Sequence, residues 1–140
     1  MMKIALVTCS SDKLDGEHPA KELYTGIFFR GAYAYAKKLQ ADKIFILSAK
    51  HKLLEEDAII EKYDCTLYDM SAPEVRAWAD EVYAQLCEKT DIEKDEFIIL
   101  AGGPYRKYLA NRLPHVCVPL EHMNRGKQVK FYTELLEEQK

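Results

Sequence analysis

The stretch Lys3-Ile-Ala-Leu-Val-Thr8 decides the fold class, because a short apolar run rich in branched residues predicts a strand buried on both faces. Two later stretches, Lys43-Ile-Phe-Ile-Leu-Ser48 and Glu96-Phe-Ile-Ile-Leu-Ala101, have the same character. A fourth, shorter strand is expected at His115–Val118. Helical patterns separate these strands. The sequence therefore predicts a three-layer α/β domain, with a mostly parallel sheet of about four or more strands and helices on both faces.

The segments between the strands carry the apolar spacing of amphipathic helices. One helix is expected from about Gly26 to Leu39. A second should begin at Ser71-Ala-Pro-Glu74, which is a capping-box pattern with proline in the first turn, and should run to about Lys89. A short helix should follow the glycine turn after the third strand and end near Leu113.

Two further segments complete the predicted organisation. Ala49–Met70 has no clean period, so we expect an ordered but irregular loop there. The last helix follows Gly126, and its inward-facing residues should be Val129, Tyr132, Leu135 and Leu136.

Length and composition indicate one ordinary globular domain over residues 1–140. With 48% hydrophobic and 31% charged residues, the chain lies far from the disordered class. Its formal net charge of -3 provides no overall basic field, so any affinity for DNA or RNA would need a local patch.

The sequence predicts a cytoplasmic location with no membrane partner. No stretch approaches the roughly 20 apolar residues that a membrane-spanning helix needs, and Met1-Met2-Lys3 runs directly into the first strand instead of a secretory signal. The four cysteines form no C-x-x-C pair, which suggests reduced thiols in the cytosol. The histidines lack metal-binding spacing, and we expect neither a metal nor a cofactor.

Polar clusters follow the predicted strands at their C-terminal ends, where parallel sheets bind ligands. Cys9, Ser10 and Lys13 follow the first strand and offer a phosphate site or an activated nucleophile. Ser48 and His51 follow the second strand, and an imidazole titrates near neutrality. A half-buried cysteine, a solvated lysine and a surface histidine are the structural alternatives.

Three more clusters lie further along the chain. Tyr63 and Asp64 offer a ring for stacking and a carboxylate base, or else a turn that covers the core. The stretch Ala101-Gly-Gly-Pro-Tyr105 lets a ligand approach the backbone at a helix start, although a tight turn alone needs one glycine. Glu121 and Arg125 offer an acid or base and an anion clamp, or else a charged loop that caps a surface helix.

Several stretches together carry a family resemblance: Cys9-Ser-Ser-Asp-Lys13, Glu22-Leu-Tyr-Thr-Gly26 with Phe29, Ile46-Leu-Ser-Ala-Lys-His-Lys-Leu-Leu54, Tyr63-Asp-Cys-Thr-Leu67 and Ala101-Gly-Gly-Pro-Tyr105. With them the chain resembles the small bacterial and phage domains related to the YaaA peroxide-stress family, over most of its length. The resemblance implies the same α/β fold and an association with DNA binding and protection from peroxide.

The Cys9-Ser-x-x-Lys13 loop also resembles the Cys-Ser-x-x-Lys of the archaeosine-synthase core. That family attaches lysine to a deazaguanine base in transfer RNA. This second, local resemblance implies that Lys13 is a position to test.

Our hypothesis from the sequence is an enzyme acting on a nucleotide, a nucleobase or a base within a nucleic acid, by transfer or cleavage at the base or the glycosidic carbon. Lys13 is assigned as nucleophile or electrostatic stabiliser, and Asp64 or Glu121 as acid or base. Gly102, Gly103 and Arg125 would hold an anionic group, and Tyr24, Tyr63 or Tyr105 would stack on a ring. The predicted substrate-binding residues are Cys9, Ser10, Tyr24, Ser48, His51, Tyr63, Gly102, Gly103, Tyr105 and Arg125.

The alternative is a non-catalytic DNA-binding or oxidative-stress-response protein. Lys50-His51-Lys52 and Arg125-Gly-Lys127 would supply its local basic patch. A small-nucleotide sensor or an accessory protein in a phage or defence context is a third class. The sequence leaves the oligomeric state open.

Overall fold

The computed structural model describes residues 1–139, and these contain seven strands in two sheets. In chain order the strands are β1 (Lys3–Thr8), β2 (His18–Pro19), β3 (Lys43–Ser48), β4 (Lys52–Glu55), β5 (Ile59–Ile60), β6 (Glu96–Leu100) and β7 (Val116–Cys117). Within the same residues the α-helices are α1 (Ala20–Leu23), α2 (Ile27–Lys38), α3 (Ala72–Lys89), α4 (Gly103–Arg106) and α5 (Arg125–Glu138). Short 3-10 turns occupy Leu67–Asp69 and Ala110–Arg112.

The main sheet has five strands in the order β4-β3-β1-β6-β7. β1 pairs in parallel with β3 and with β6, and β7 pairs in parallel with β6. β4 folds back antiparallel on β3 and forms one edge. The prediction of a mostly parallel sheet is therefore confirmed. β2 and β5 form a separate two-stranded antiparallel ribbon.

The connections place helices on both faces of this sheet. α2 leads from β1 to β3 in one direction, and α3 leads from the β3–β4 hairpin to β6 in the opposite direction. Parallel crossovers are right-handed, so opposite directions put α2 and α3 on opposite faces. The loops that follow the neighbouring strands β1 and β6 consequently lead to opposite faces of the sheet. The position between two such strands is called a switch point, and the diverging loops leave a crevice there in which a ligand can bind.

The long elements form where the sequence predicts them, because local signals suffice there. Ala5, Leu6 and Val7 in β1 are fully buried, as expected of a central parallel strand. The capping box of α3 is confirmed: Ser71 Oγ accepts from the Glu74 N–H, and the Glu74 carboxylate accepts from the Ser71 N–H.

Helix α5 packs on α2 through an unusually close contact. Gly31 in α2 faces Tyr132 in α5, and a Cβ built on Gly31 would lie 2.1 Å from the Tyr132 Cγ. Tyr132 also meets Phe28 edge to face, with ring centroids 6.4 Å apart. The absent Gly31 side chain thus allows the two helices to approach.

The structure corrects the prediction of an irregular loop at 49–70, because β4 and β5 lie within that segment. The β3–β4 turn places Lys52 at a φ of 61°, a left-handed position at which glycine or asparagine is usual. The sequence therefore lacks the glycine or asparagine that would indicate a turn between β3 and β4. β4 and β5 are also too short for their sequences to show a recognisable strand pattern.

Two smaller predictions near the C-terminus are also wrong. The helix expected to end near Leu113 stops at Arg106, and 3-10 geometry follows with an Arg112 N–H to Leu109 O bond of 3.0 Å. This tighter winding brings Leu109 and Leu113 into the core. In α5, Val129 is exposed instead of inward, and Tyr132 and Leu135 form the buried stripe.

Candidate functional site

A cleft of about 710 Å³ opens at the C-terminal ends of β1 and β6, at the switch point of the sheet. Its walls are residues 10–12 after β1, the start of α2, the glycine turn after β6, the segment that leads into α5, and Thr66 with Tyr68. We call it the switch-point cleft. Loops and helix starts from opposite faces of the sheet meet here, which is where open parallel sheets bind ligands.

The loop after β1 is held against the segment that follows α1. The Leu14 N–H donates to Leu23 O and the Thr25 N–H donates to Asp12 O, both at 2.9 Å. Lys13 and Tyr24 form a bridge between these two hydrogen bonds. Within this loop Ser10, Ser11 and Asp12 line the cleft, whereas Lys13 does not.

Two arginines and two carboxylates line the cleft: Arg106, Arg125, Asp12 and Glu121. The Arg125 guanidinium lies 4.3 Å above the ring of Phe28, and an Arg106 Nη1–H donates to Ala101 O at 2.9 Å. Within residues 1–139 neither arginine forms a salt bridge. Most of their N–H donors are therefore available to an anion.

The start of α2 forms one wall of the cleft. A Cβ built on Gly26 would lie 2.9 Å from the Ser10 Cβ, so Ser10 fits against the glycine, and Ser10 Oγ accepts from the Gly26 N–H at 3.3 Å. The Asp12 Oδ2 lies 3.9 Å from the same Cβ position. Since the N-terminus of a helix favours negative charge, Asp12 already supplies a compensating carboxylate there.

The two glycines after β6 have different surroundings. A Cβ on Gly102 would lie 2.3 Å from the hydroxyl oxygen of Tyr68, whereas a Cβ on Gly103 would meet nothing within 4 Å. Gly102 therefore provides space for a protein side chain. Gly103 is open to the cleft.

Of the residues predicted from the sequence, those that line the switch-point cleft are Ser10, Gly102, Gly103, Glu121 and Arg125. Sequence reasoning missed Asp12, Tyr68 and Arg106. Asp12 lies in the same loop as the predicted Ser10 and Lys13, and Arg106 lies in the first turn after the two glycines, so the position of each in the sequence indicates the site. Tyr68 had none, because its position depends on the fold of the 49–70 segment.

A second group of predicted residues forms a hydrogen-bonded hydroxyl cluster away from the cleft lining. The Tyr63 hydroxyl lies 2.6 Å from the Tyr24 hydroxyl and 2.7 Å from Ser48 Oγ. Ser48 Oγ also accepts from the His51 N–H at 2.9 Å. Burial raises the pKa of Tyr24 to about 12 and that of Tyr63 further in the same direction. These phenols are therefore neutral hydrogen-bonding groups near neutral pH.

Lys13 lies beside this hydroxyl cluster, with its Nζ 4.4 Å from the centre of the Tyr63 ring. Burial lowers the pKa of Lys13, and the nearby Cys9 and Asp64 oppose that shift. Asp64 is exposed. The Cys9 thiol donates to the Tyr105 hydroxyl at 3.5 Å.

Burial also decides which tyrosine rings a ligand can reach. Tyr24 is 2% exposed and Tyr105 is 4% exposed, and both rings pack against other aromatic rings. Neither has a free face for a ligand, so we do not propose them as stacking residues.

The structure corrects the expectation that one sheet edge gathers all the predicted groups into a single site. Ser10 and the glycine turn line the switch-point cleft, while Lys13 and Ser48 belong to the hydroxyl cluster. His51 lines a separate depression of about 270 Å³ together with Lys50, Glu17, Glu61 and others. Burial lowers the pKa of His51, and the flanking Lys50 and Lys52 lower it further.

Within residues 1–139, no three His, Cys, Asp or Glu side chains come together in a way that would hold a metal ion. None of the helices described there combines the length and apolar composition that a membrane crossing requires.

The hydroxyl cluster predicts a measurable loss of stability when its central hydroxyl is removed. Tyr63→Phe should lower the free energy of unfolding by about 1–3 kcal/mol, because Ser48 Oγ and the Tyr24 hydroxyl each lose a partner in a buried setting. Urea denaturation measures this change. The matched control is Tyr35→Phe, since the Tyr35 hydroxyl makes no hydrogen bond within residues 1–139. Equal stability of both variants would contradict a structural role for the cluster.

The chain is similar to a protein family and to a known protein. Residues 4–134 match the model of the family of unknown function DUF6884. The chain is 31% identical over 116 residues to the uncharacterized protein YfjM of Bacillus subtilis (strain 168), covering 78% of this chain and 75% of that protein. No solved structure matches the chain significantly.

These matches overturn the family resemblance inferred from short motifs. They show no link to the YaaA family or to the archaeosine synthases, and the stress and phage associations are withdrawn with that resemblance. The Cys-Ser-x-x-Lys and glycine-turn patterns are too short to distinguish one family from another, because unrelated α/β proteins also carry such residues in the loops after their strands. The match over residues 4–134 is much longer than any of those motifs. The chain belongs to the DUF6884 family.

Proposed function

We propose that the protein is an enzyme that binds a nucleotide in the switch-point cleft and transfers or cleaves at the base or the glycosidic carbon. One observation carries the proposal: Arg106 and Arg125 line this cleft, and neither forms a salt bridge within residues 1–139. Guanidinium groups bind phosphate through paired N–H donors. Two of them in a cleft at a switch point are a suitable site for a phosphorylated small molecule.

The carboxylates of the cleft support a ligand that is more than a phosphate. Asp12 and Glu121 would repel a bare anion, but they accept hydrogen bonds from hydroxyl and amino groups. A nucleotide carries both kinds of group, since its sugar and many bases are donors and its phosphate is an acceptor. The mixed charge of the lining is therefore matched by the mixed polarity of a nucleotide.

Glu121 is the proposed acid–base group, because of the predicted catalytic residues it alone lines the cleft. In the cleavage reaction, Glu121 takes a proton from water as the water oxygen bonds to the anomeric carbon. The carbon–nitrogen bond breaks and the base leaves with the electron pair. The base then takes the proton that Glu121 holds, which restores the carboxylate. In the transfer reaction, the hydroxyl or amine of an acceptor replaces water. Lys13 and Asp64 are not proposed as catalytic residues, since they do not line the cleft.

The first test is a thermal-shift screen against nucleotides, nucleosides, free bases and short oligonucleotides, because a ligand that binds only the native state raises the melting temperature. Arg125→Ala should weaken nucleotide binding by about 10- to 100-fold, the effect of losing a charge-assisted hydrogen bond. Arg30→Ala, on the exposed part of α2, is the matched control. If no nucleotide binds, or if Arg125→Ala binds as the wild type does, the proposal is wrong.

The non-catalytic DNA-binding alternative has less support. Its basic patch is partly neutralised, because Lys52 forms a salt bridge with Glu81 at 3.4 Å, and Lys50 shares its depression with Glu17 and Glu61. Titration of a labelled duplex at two salt concentrations separates the two proposals. Tight binding that falls steeply with salt and forms no product would favour the alternative.

A further inference from the structure

Tyr68 stands out among the aromatic residues that line the switch-point cleft. Three aromatic rings are present there: Phe28, Tyr68 and Tyr132. Tyr132 is 3% exposed, and Phe28 is covered by the Arg125 guanidinium and by the edge contact with Tyr132. Tyr68 is 58% exposed. It is therefore the ring of the lining that has a surface free to meet a ligand.

The position of Tyr68 is held from several sides. It lies in the 3-10 turn Leu67–Asp69, where its N–H donates to Thr66 Oγ1 at 3.3 Å. Its ring centre is 6.2 Å from that of Tyr105 at a tilted angle of 59°. Its hydroxyl occupies the space that a side chain on Gly102 would fill. A ring that is held in place before binding loses little conformational freedom when a ligand arrives.

We propose that Tyr68 is the stacking surface for the base of the bound nucleotide, and that Gly102 is a positioning residue that gives Tyr68 its place. This inference rests on the proposed function and deepens it, because it names the part of the ligand that the cleft selects. Stacking on the tyrosine ring strengthens the binding of a nucleotide whichever base the nucleotide carries. The cleft should therefore discriminate against sugar phosphates that lack a base.

The experiment compares AMP with ribose 5-phosphate by calorimetry. Wild-type protein should bind AMP about tenfold or more tightly than ribose 5-phosphate, the usual size of one stacking contact. Tyr68→Ala should remove most of this preference by weakening AMP alone. Tyr68→Phe retains the ring and should keep the preference, although it loses the hydroxyl.

Gly102→Ala tests how Tyr68 is positioned. The added methyl group would lie 2.3 Å from the Tyr68 hydroxyl oxygen, so the ring must move, and AMP binding should weaken as it does in Tyr68→Ala. In the Tyr68→Ala background the same methyl group should have no further effect. This non-additivity is the signature of one residue that acts through another.

The outcomes separate this inference from the proposed function. If no nucleotide binds the wild type, both fail. If AMP binds in an Arg125-dependent way and Tyr68→Ala leaves its affinity unchanged, only the role of Tyr68 is overturned. Equal loss of AMP and ribose 5-phosphate binding in Tyr68→Ala would also overturn it, because a stacking residue should not affect a ligand that has no base. Thermal melts of each variant identify losses that come from unfolding.

Discussion

Gly31→Ala is expected to lower the free energy of unfolding by about 2 kcal/mol. A Cβ at this position would lie 2.4 Å from the Tyr132 Cβ and 2.1 Å from its Cγ. These atoms stand close to the backbone of α5, so they move only if the helix moves. Overpacking of this kind costs up to about 3 kcal/mol, and the helix preference of alanine over glycine returns about 1 kcal/mol.

Urea denaturation of Gly31→Ala tests this packing, with Gly126→Ala as the matched control. A Cβ on Gly126 meets only Asn124 Oδ1, at an ordinary 3.5 Å, so this variant should match or slightly exceed the wild-type stability. In a Tyr132→Ala background, Gly31→Ala should no longer destabilise. Wild-type stability of the single Gly31→Ala variant would show that α2 and α5 do not pack as closely as described.

Glu121→Gln is expected to reduce turnover by about 100-fold or more and to leave nucleotide affinity largely unchanged. The amide has nearly the same shape as the carboxyl group and still forms hydrogen bonds, but it cannot take a proton from water. Chromatography of released base measures turnover. Calorimetry measures affinity separately, and this distinction identifies a loss that belongs to the chemical step.

Two variants make the Glu121 result interpretable. Glu134→Gln removes the same charge from an exposed position of α5 and should retain full turnover. Asp64→Asn tests the sequence-based assignment directly, since Asp64 does not line the cleft. Loss of turnover in Asp64→Asn with normal turnover in Glu121→Gln would show that the catalytic centre lies at the hydroxyl cluster instead.

The candidate site could be predicted only in part. Ser10, Gly102 and Arg125 are predictable as site residues because they follow strands or precede a helix, and the structure places them in the cleft. Lys13 meets the same criterion but lies beside the hydroxyl cluster. A polar residue after a strand identifies the correct end of the sheet, but its backbone conformation decides which side of the loop it occupies.

Local signals in the sequence were enough to establish the fold class, the three long strands and the helices α2, α3 and α5. Apolar periodicity and capping involve only a few neighbouring residues, so both can be recognised in the sequence without knowing which segments pack together. β5 depends on pairing with the distant β2, and the place of Tyr68 depends on the missing side chain of Gly102. The division between the switch-point cleft and the hydroxyl cluster, like the contact of α2 with α5, comes from packing between segments far apart in the chain. Such contacts leave no local pattern, and only the tertiary structure decides them.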